Sequence, residues 1–242
     1  MSEKFSYQDY VTDKKFLAEY NSYQNRYKQN IRESDKVVIS LVRDLISRRG
    51  NTDQRLTLLD VGCSTGNLLL HLKKMLPNLT YMGTDLAESS LKECRANPDL
   101  SGVEFQIADL LSLSCGKFDF VTVNAVLYMM EESEFEQALK KLSDSLKEEG
   151  NLIIFDFFHE FDQHLSILEK SRSHPDGLRL NFRSMSEVER QMEDADLKAD
   201  KFYPFSLPID LPQIKDGELL TYTISDSEGC RMPFRGTLFQ PW

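Results

Sequence analysis

The sequence has little of what membrane-spanning, secreted or nucleic-acid-binding chains are built from. No run approaches the roughly 18 consecutive apolar residues of a bilayer-spanning helix. The opening MSEKFSYQDY holds no apolar h-region of the kind a secretory signal needs. Cysteine is scarce and scattered. Cys63, Cys94, Cys115 and Cys230 form no CxxC pair, so they read as reduced thiols rather than a disulfide framework. Together these absences place the chain in the cytoplasm. Basic charge is also in deficit, with a net charge of −10 and basic clusters no longer than Arg48–Arg49 and Lys73–Lys74. Nucleic-acid binders draw much of their affinity from neutralising phosphates. The expected partner is therefore a small molecule, with no nucleic acid and no membrane. His159, His164 and His174 lack a convincing set of partner ligands, so no metal site is expected.

What is present is ordinary for a globular protein: 40% apolar residues, 28% charged residues and 242 positions, enough for one large domain with a modest appendage. Phe16, Leu17, Tyr20, Tyr23, Tyr27 and Ile31 recur at helical spacing. Ser34 and Asp35 read as an N-cap for a second amphipathic helix carrying Val37, Val38, Leu41, Val42, Leu45 and Ile46, ending near Gly50. Residues 1–50 thus predict a helical cap, and 51–242 the main domain.

From Leu56 the pattern becomes strand-helix alternation. LTLLDV, LTYMGTD, VEFQIAD, FDFVTVN and NLIIFDFF read as strands, with helices through Leu76 and over Ala87–Ala96. Ser133 with Glu136 reads as a capping box for a third helix, which Gly150 would end. Apolar strands in such alternation predict an α/β fold with a doubly wound, mostly parallel sheet. Past Phe158 a second capping box at Ser186 and Glu189 predicts a helix, and Lys198–Leu207 a sixth strand. TYTIS and GTLFQPW suggest an antiparallel strand addition turning near Ser227–Gly229.

The segment Asp60-Val61-Gly62-Cys63-Ser64-Thr65-Gly66 leaves the first strand and opens a helix. Glycine there permits positive φ and lets a ligand approach the backbone, at the strand end where open α/β sheets bind ligands. A tight turn with no ligand would use the same glycines. Asp85 ends the second strand, about 20 residues on, where a carboxylate can accept both hydroxyls of a ribose. A solvated strand-end carboxylate is the plainer alternative. A dinucleotide-binding GxGxxG would need glycine at Asn67, so a nicotinamide-dependent oxidoreductase is disfavoured.

The turn resembles motif I of the class I S-adenosylmethionine-dependent methyltransferases, D-x-G-x-G-x-G, with Ser64 where the middle glycine often stands. The resemblance covers roughly Leu56–Phe158. It implies a Rossmann-like methyltransferase fold, with S-adenosylmethionine as cofactor. Asp60 and the backbone of Gly62, Cys63, Ser64 and Gly66 would surround the methionine and ribose, and Asp85 would bind the ribose. Leu86 would pack on adenine, whose amino group would meet Asp109 and the Leu110 backbone. Asp109 would equally serve to cap the segment after it. Family members place cofactor- and substrate-facing residues after the fourth strand, near Asn124 and Tyr128. Asn124 is not followed by a Pro-Pro-aromatic tetrad, which argues against methylation of exocyclic base amines or glutamine side chains.

The N-terminal helices resemble a lid used by related enzymes, in which Arg32, rather than Arg26, would reach the cofactor carboxylate. His159, with His164 and Tyr128 as alternatives, is the candidate general base, needed only if the acceptor must lose a proton. The function these residues imply is methyl transfer to an oxygen or nitrogen of a small acceptor. A catalytically silent cofactor-binding module would keep the same turn.

Overall fold

The structure is a computed structural model and describes residues 6–50, 55–169, 178–203, 222–225 and 231–234. Five parallel strands form the central sheet: β1 (Thr57–Val61), β2 (Thr80–Asp85), β3 (Glu104–Ile107), β4 (Phe118–Asn124) and β5 (Leu146–Phe155). Their order across the sheet is β3-β2-β1-β4-β5. The order reverses between β1 and β4, the switch point where such sheets bind ligands.

Successive side chains of a strand face opposite sides, so the consecutive Leu58 and Leu59 feed two different cores. Leu58, Phe120 and Ile153 pack with α3 (Glu33–Arg48), α4 (Asn67–Met75) and α5 (Glu88–Ala96). Leu59, Val121 and Val123 pack with Phe135, Ala138, Leu139 and Leu142 of α6 (Glu132–Asp144). Leu58, Leu59, Phe120 and Val121 are fully buried. The doubly wound parallel sheet expected from the apolar strands is the observed one.

The cap is shorter-stepped than the aromatic stripe implies. It consists of α1 (Tyr7–Thr12), α2 (Lys14–Gln24) and a single 3-10 turn over Asn25–Lys28 before α3. Leu17 is buried, whereas Tyr23 is 47% exposed and pairs edge-on with Tyr27. Helix α3 starts two to three residues earlier than a cap at Ser34 or Asp35 predicts. Arg32 is its N-cap, which leaves Ser34 and Asp35 buried inside the first turn.

Both expected capping boxes shift two residues toward the N-terminus. In α6 the box is Glu131 with Glu134, whose carboxylate accepts from the Glu131 amide at 2.8 Å. Glutamate oxygens satisfy the same orphan amides that Ser133 was expected to serve. Helix α7 (Met185–Asp194) is capped by Ser184, which accepts from the Glu187 amide at 3.2 Å, because the preceding strand runs straight into it. Gly150 does not end α6. That helix stops at Ser145, whose carbonyl accepts from Phe118 at 2.9 Å and starts β5 at once. Gly150 lies within β5 at an irregularity between the Phe118 and Phe120 pairings, where a Cβ would stand 2.9 Å from the Lys147 carbonyl.

The chain past β5 departs most from expectation. A second sheet contains β6 (Phe158–His159), β7 (Leu165–Glu169), β8 (Leu178–Ser184), β9 (Tyr222–Ser225) and β10 (Arg231–Phe234), in the order β10-β9-β7-β8-β6. Residues 198–203 are not a strand, and 204–207 lie outside the described residues. The antiparallel hairpin forms, but from β9 and Arg231–Phe234. GTLFQPW and the expected turn at 227–229 lie outside the described residues. Among the described residues, no helix is long and apolar enough to cross a membrane.

Candidate functional site

The glycine turn is shaped by three left-handed residues: Gly62 at φ +71°, Ser64 at +50° and Gly66 at +75°. At Gly62 and Gly66 the space is closed as well, since an added Cβ would collide with Val126 or Leu100. Ser64 holds this conformation without glycine's freedom, at a cost of roughly 1–2 kcal/mol. The Ser64 amide is fixed on Asp85 Oδ2 at 2.8 Å, and the Ala87 amide on Oδ1 at 2.8 Å. Turn and β2 end are thus locked together.

A second buried carboxylate lies under the turn. Asp60 is 2% exposed and accepts from Thr122 Oγ1 at 2.8 Å. Burial pushes its carboxyl up to about 7; the Thr122 bond opposes this, and the charges of Asp35 and Asp85 reinforce it. Burial likewise raises Asp85, against the amides of Ala87 and Ser64. Asp35 enters from the first turn of α3, and its Oδ1 accepts from Asn124 Nδ2 at 3.1 Å. Burial raises its carboxyl too, opposed by the Arg32 charge and the Asn124 bond.

Asp109, just past β3, caps the 3-10 turn at Leu110–Ser112 through the Leu111 amide at 3.0 Å. It also holds α1: Tyr7 Oη donates to Oδ1 at 2.6 Å and Gln8 Nε2 to Oδ2 at 3.0 Å. Capping, the plainer alternative for this residue, is observed, and the same carboxylate anchors α1.

A cavity of about 110 Å³ joins these parts, lined by Gly62, Ser64, Asp85, Leu86 and Leu110 on the sheet side and by Tyr7, Leu17 and Tyr20 on the cap side. It is smaller than the ~300 Å³ at the low end of small-molecule sites. The cap side chains occupy room that a ligand would take. A larger cavity of about 540 Å³ runs between α3 and β5 and touches none of the β1–β3 ends. Gly62, Ser64 and Asp85 line the smaller one.

The far wall is the turn after β4, with Ala125 at φ +54°, Val126, Tyr128, Met129 and Met130. Charge clamps it from beneath. Asp156 Oδ2 accepts from the Leu127 amide at 2.8 Å and the Tyr128 amide at 3.2 Å. The buried Arg183 donates to the Leu127 carbonyl at 3.2 Å and the Met130 carbonyl at 2.6 Å, and Asn181 Nδ2 adds a bond to Met130 at 2.9 Å. Tyr128 faces the cavity with its ring 5.1 Å from that of Phe157.

His159, His164, Arg32 and Cys63 do not line the cavity. His159 is 3% exposed in β6, with Nε2 on the Phe182 carbonyl at 3.1 Å and Nδ1 accepting from Phe161 at 3.1 Å. Burial lowers its pKa. His164 bonds Asn181 at 3.2 Å. Arg32 lies 4.3 Å over the Tyr27 ring, Arg26 stacks on Tyr23, and Cys63 is buried behind the turn. Sequence reasoning missed Tyr7, Gln8, Asp35, Asp156 and Arg183. Tyr7 and Gln8 precede the helical stripe, Asp156 lies in the bend after β5, and Arg183 lies on β8, whose alternation of Leu178, Leu180 and Phe182 with polar residues was not read as a strand. Among the described residues, no group of three His, Cys, Asp or Glu could hold a metal ion.

A glycine turn at the switch point, with a carboxylate closing the next strand, defines a nucleoside-binding α/β domain of the Rossmann-like kind. The chain belongs to the methyltransferase-domain family, whose model matches residues 52–201. Curated relatives include a carboxy-S-adenosyl-L-methionine synthase of Nitratiruptor, 31% identical over 51% of this chain and 49% of that protein. A demethylmenaquinone methyltransferase of Thermus thermophilus is 32% identical over 50% of this chain and 58% of its own. The chain spans about half the length of these relatives. Among solved structures, a chain of the complex between the Haloferax volcanii Trm112 methyltransferase activator and its methyltransferase aligns with TM-score 0.62 at 18% identity. That alignment covers 86% of both chains. The plantazolicin methyltransferase aligns at 0.56 and 16% identity over 76% of this chain and 70% of its own. The fold is shared with both.

Proposed function

We propose that the protein transfers a methyl group from S-adenosylmethionine to an oxygen or nitrogen of a small-molecule acceptor. The observation that carries this reading is the set of carboxylates, half-buried Asp85 with buried Asp60 and Asp35, around a glycine turn that lines a cavity. Two features fit such a cofactor. Asp60, Asp85 and Asp35 are held with their ionised forms disfavoured, which suits a cationic guest. Thr65 Oγ1, Asn67 Oδ1 and Asp35 Oδ2 are buried with no hydrogen-bond partner in the protein, which suits a polar one.

When bound, the cofactor supplies the activated methyl on its sulfonium. The chain's own task is alignment and exclusion of water. Asp85 would hold the ribose hydroxyls, with Leu86 and Leu110 against adenine and Asp109 on its amino group. The cap helices would close over the site, and the turn with Tyr128, Met129 and Met130 would form an apolar wall for the acceptor. Tyr128, which lines the cavity, would be the side chain to meet the acceptor's proton. Calorimetric titration tests the reading: S-adenosylmethionine and S-adenosylhomocysteine should bind and NAD should not, and binding of NAD alone overturns it. Radiolabelled transfer over an acceptor panel separates an enzyme from a silent binding module.

The relatives named carboxy-S-adenosyl-L-methionine synthase favour a second reading, in which the nucleoside itself is the product. Mass spectrometry of nucleosides carried through purification decides between them. A species heavier than S-adenosylmethionine by a carboxylate supports the second.

A further inference from the structure

The strand order lays the site out as a row. Across the carboxyl ends of β3, β2, β1 and β4 stand Asp109, Asp85, Asp60 with the glycine turn, and Asn124 with Asp35. Neighbouring strands lie about 4.8 Å apart, so the row is roughly 14 Å long. If adenine lies at the β3 end and ribose at the β2 end, as in the reading above on which this inference rests, the amino-acid end of the nucleoside reaches β4. That end carries an ammonium and a carboxylate.

At this end the chain provides a carboxylate that the protein does not complete. Asp35 is fully buried; its Oδ1 takes the Asn124 amide, and its Oδ2 accepts no hydrogen bond from the protein. Asn67, 4% exposed in the first turn of α4, uses Nδ2 on the Gln24 carbonyl at 2.8 Å and leaves Oδ1 without a partner. Thr65, 2% exposed on the same loop, leaves its hydroxyl without one. A buried carboxylate oxygen left unmatched is costly, and more so beside like charge. Asp60 supplies that like charge, and Arg32 opposes it from the start of α3. Asp35 Oδ2 and Asn67 Oδ1 are acceptors only. What is missing is a donor that carries several N–H groups and positive charge.

We propose that Asp35 receives the primary ammonium of the cofactor's amino-acid end, with Arg32, three positions earlier, on its carboxylate. A water molecule would satisfy the hydrogen-bonding geometry but leave the charge uncompensated; an ammonium answers both. The pair recognises the zwitterion from α3, outside the glycine turn.

The test is calorimetric binding of S-adenosylhomocysteine, of its analogue lacking the amino group and of its analogue lacking the carboxylate, to the wild-type chain and to Asp35→Asn. The substitution keeps Oδ1 for Asn124 and replaces only the outer oxygen; circular dichroism and a melting curve confirm that the variant is folded. The wild type should bind S-adenosylhomocysteine roughly 30-fold tighter than the deaminated analogue. Asp35→Asn should bring the two within about threefold by weakening the first, while the decarboxylated analogue keeps its own deficit relative to S-adenosylhomocysteine bound with Arg32 intact. A wild type indifferent to the amino group, or a variant that discriminates as the wild type does, overturns the proposal alone. A wild type that binds neither S-adenosylhomocysteine nor S-adenosylmethionine overturns the functional reading, and this one with it.

Discussion

The Tyr7 hydroxyl donates to Asp109 Oδ1 at 2.6 Å, tying the first helix to the end of β3 across 102 positions. One carboxylate thereby fastens the cap and also caps the 3-10 turn at Leu110–Ser112. Tyr7→Phe should loosen α1 without unfolding the sheet. Trypsin is expected to cut near Lys14 on the order of tenfold faster, while the melting temperature falls by less than about 3 °C. Equal cleavage rates would show that α1 is held by packing alone.

Asp85 accepts two backbone amides and still has lone pairs for a ribose. Asp85→Ala should weaken S-adenosylhomocysteine about 100-fold, which corresponds to two lost hydrogen bonds to a charged group. Unchanged affinity by calorimetry would remove the ribose role.

The Asp60 carboxyl stands at about 7 against an ordinary 3.8, so its folded-state pKa is raised. Between those two values the folded chain holds a proton that the unfolded chain has lost. Stability therefore declines as pH rises through this window. A cationic ligand favours the ionised form, so S-adenosylmethionine binding should release a proton at pH 6. Affinity should climb about fivefold from pH 6 to pH 7 and then level. Titrations in buffers of different ionisation enthalpy read the release directly. Asp60→Asn should abolish it.

Gly62 joins a left-handed backbone to a closed space against Val126. Gly62→Ala should cost about 2 kcal/mol or more in urea unfolding and abolish cofactor binding. Adding Val126→Ala relieves the collision but not the backbone strain. The double variant should recover part of the loss; full recovery would mean that φ at this position is not limiting.

Arg183 is buried, 4.0 Å over the Phe135 ring, and opposite the charge of Asp156, whose carboxyl burial pushes up to about 6. Arg183→Met leaves that charge uncompensated and should cost about 3–5 kcal/mol at pH 8. Below pH 6 Asp156 takes up a proton, so the penalty should shrink. Denaturation at pH 5 and pH 8 measures the difference, and an equal cost at both would dismiss the electrostatic account.

The central sheet and glycine turn were legible because their signals are local. Strands covered on both faces write continuous apolar runs such as LTLLDV, and a left-handed turn writes glycines at fixed spacing. The helix starts were two residues off because Glu131 and Ser184 serve as caps equally well by the same chemistry. Of the second sheet, only β9 was read as a strand, within TYTIS. β8 does alternate, with Leu178, Leu180 and Phe182 between Arg179, Asn181 and Arg183, but its polar face is buried as well, because Asn181 and Arg183 hydrogen-bond to a turn more than fifty positions earlier. Asp35 was hidden for a related reason. Its position in a first helical turn is what capping also requires, and only the fold brings it to Asn124.

The clamp on the Leu127–Met130 turn divides the pocket into two parts of separate origin. Asp85, Asp60 and the glycine turn belong to the central sheet, whereas Arg183 and Asn181 of the added sheet set the pose of the wall that carries Tyr128. Selection can therefore remould that wall through the appended strands while the nucleotide cradle keeps its geometry. On this architecture the wall that carries Tyr128 can be repositioned from the appended strands without disturbing the bonds that lock the glycine turn to Asp85.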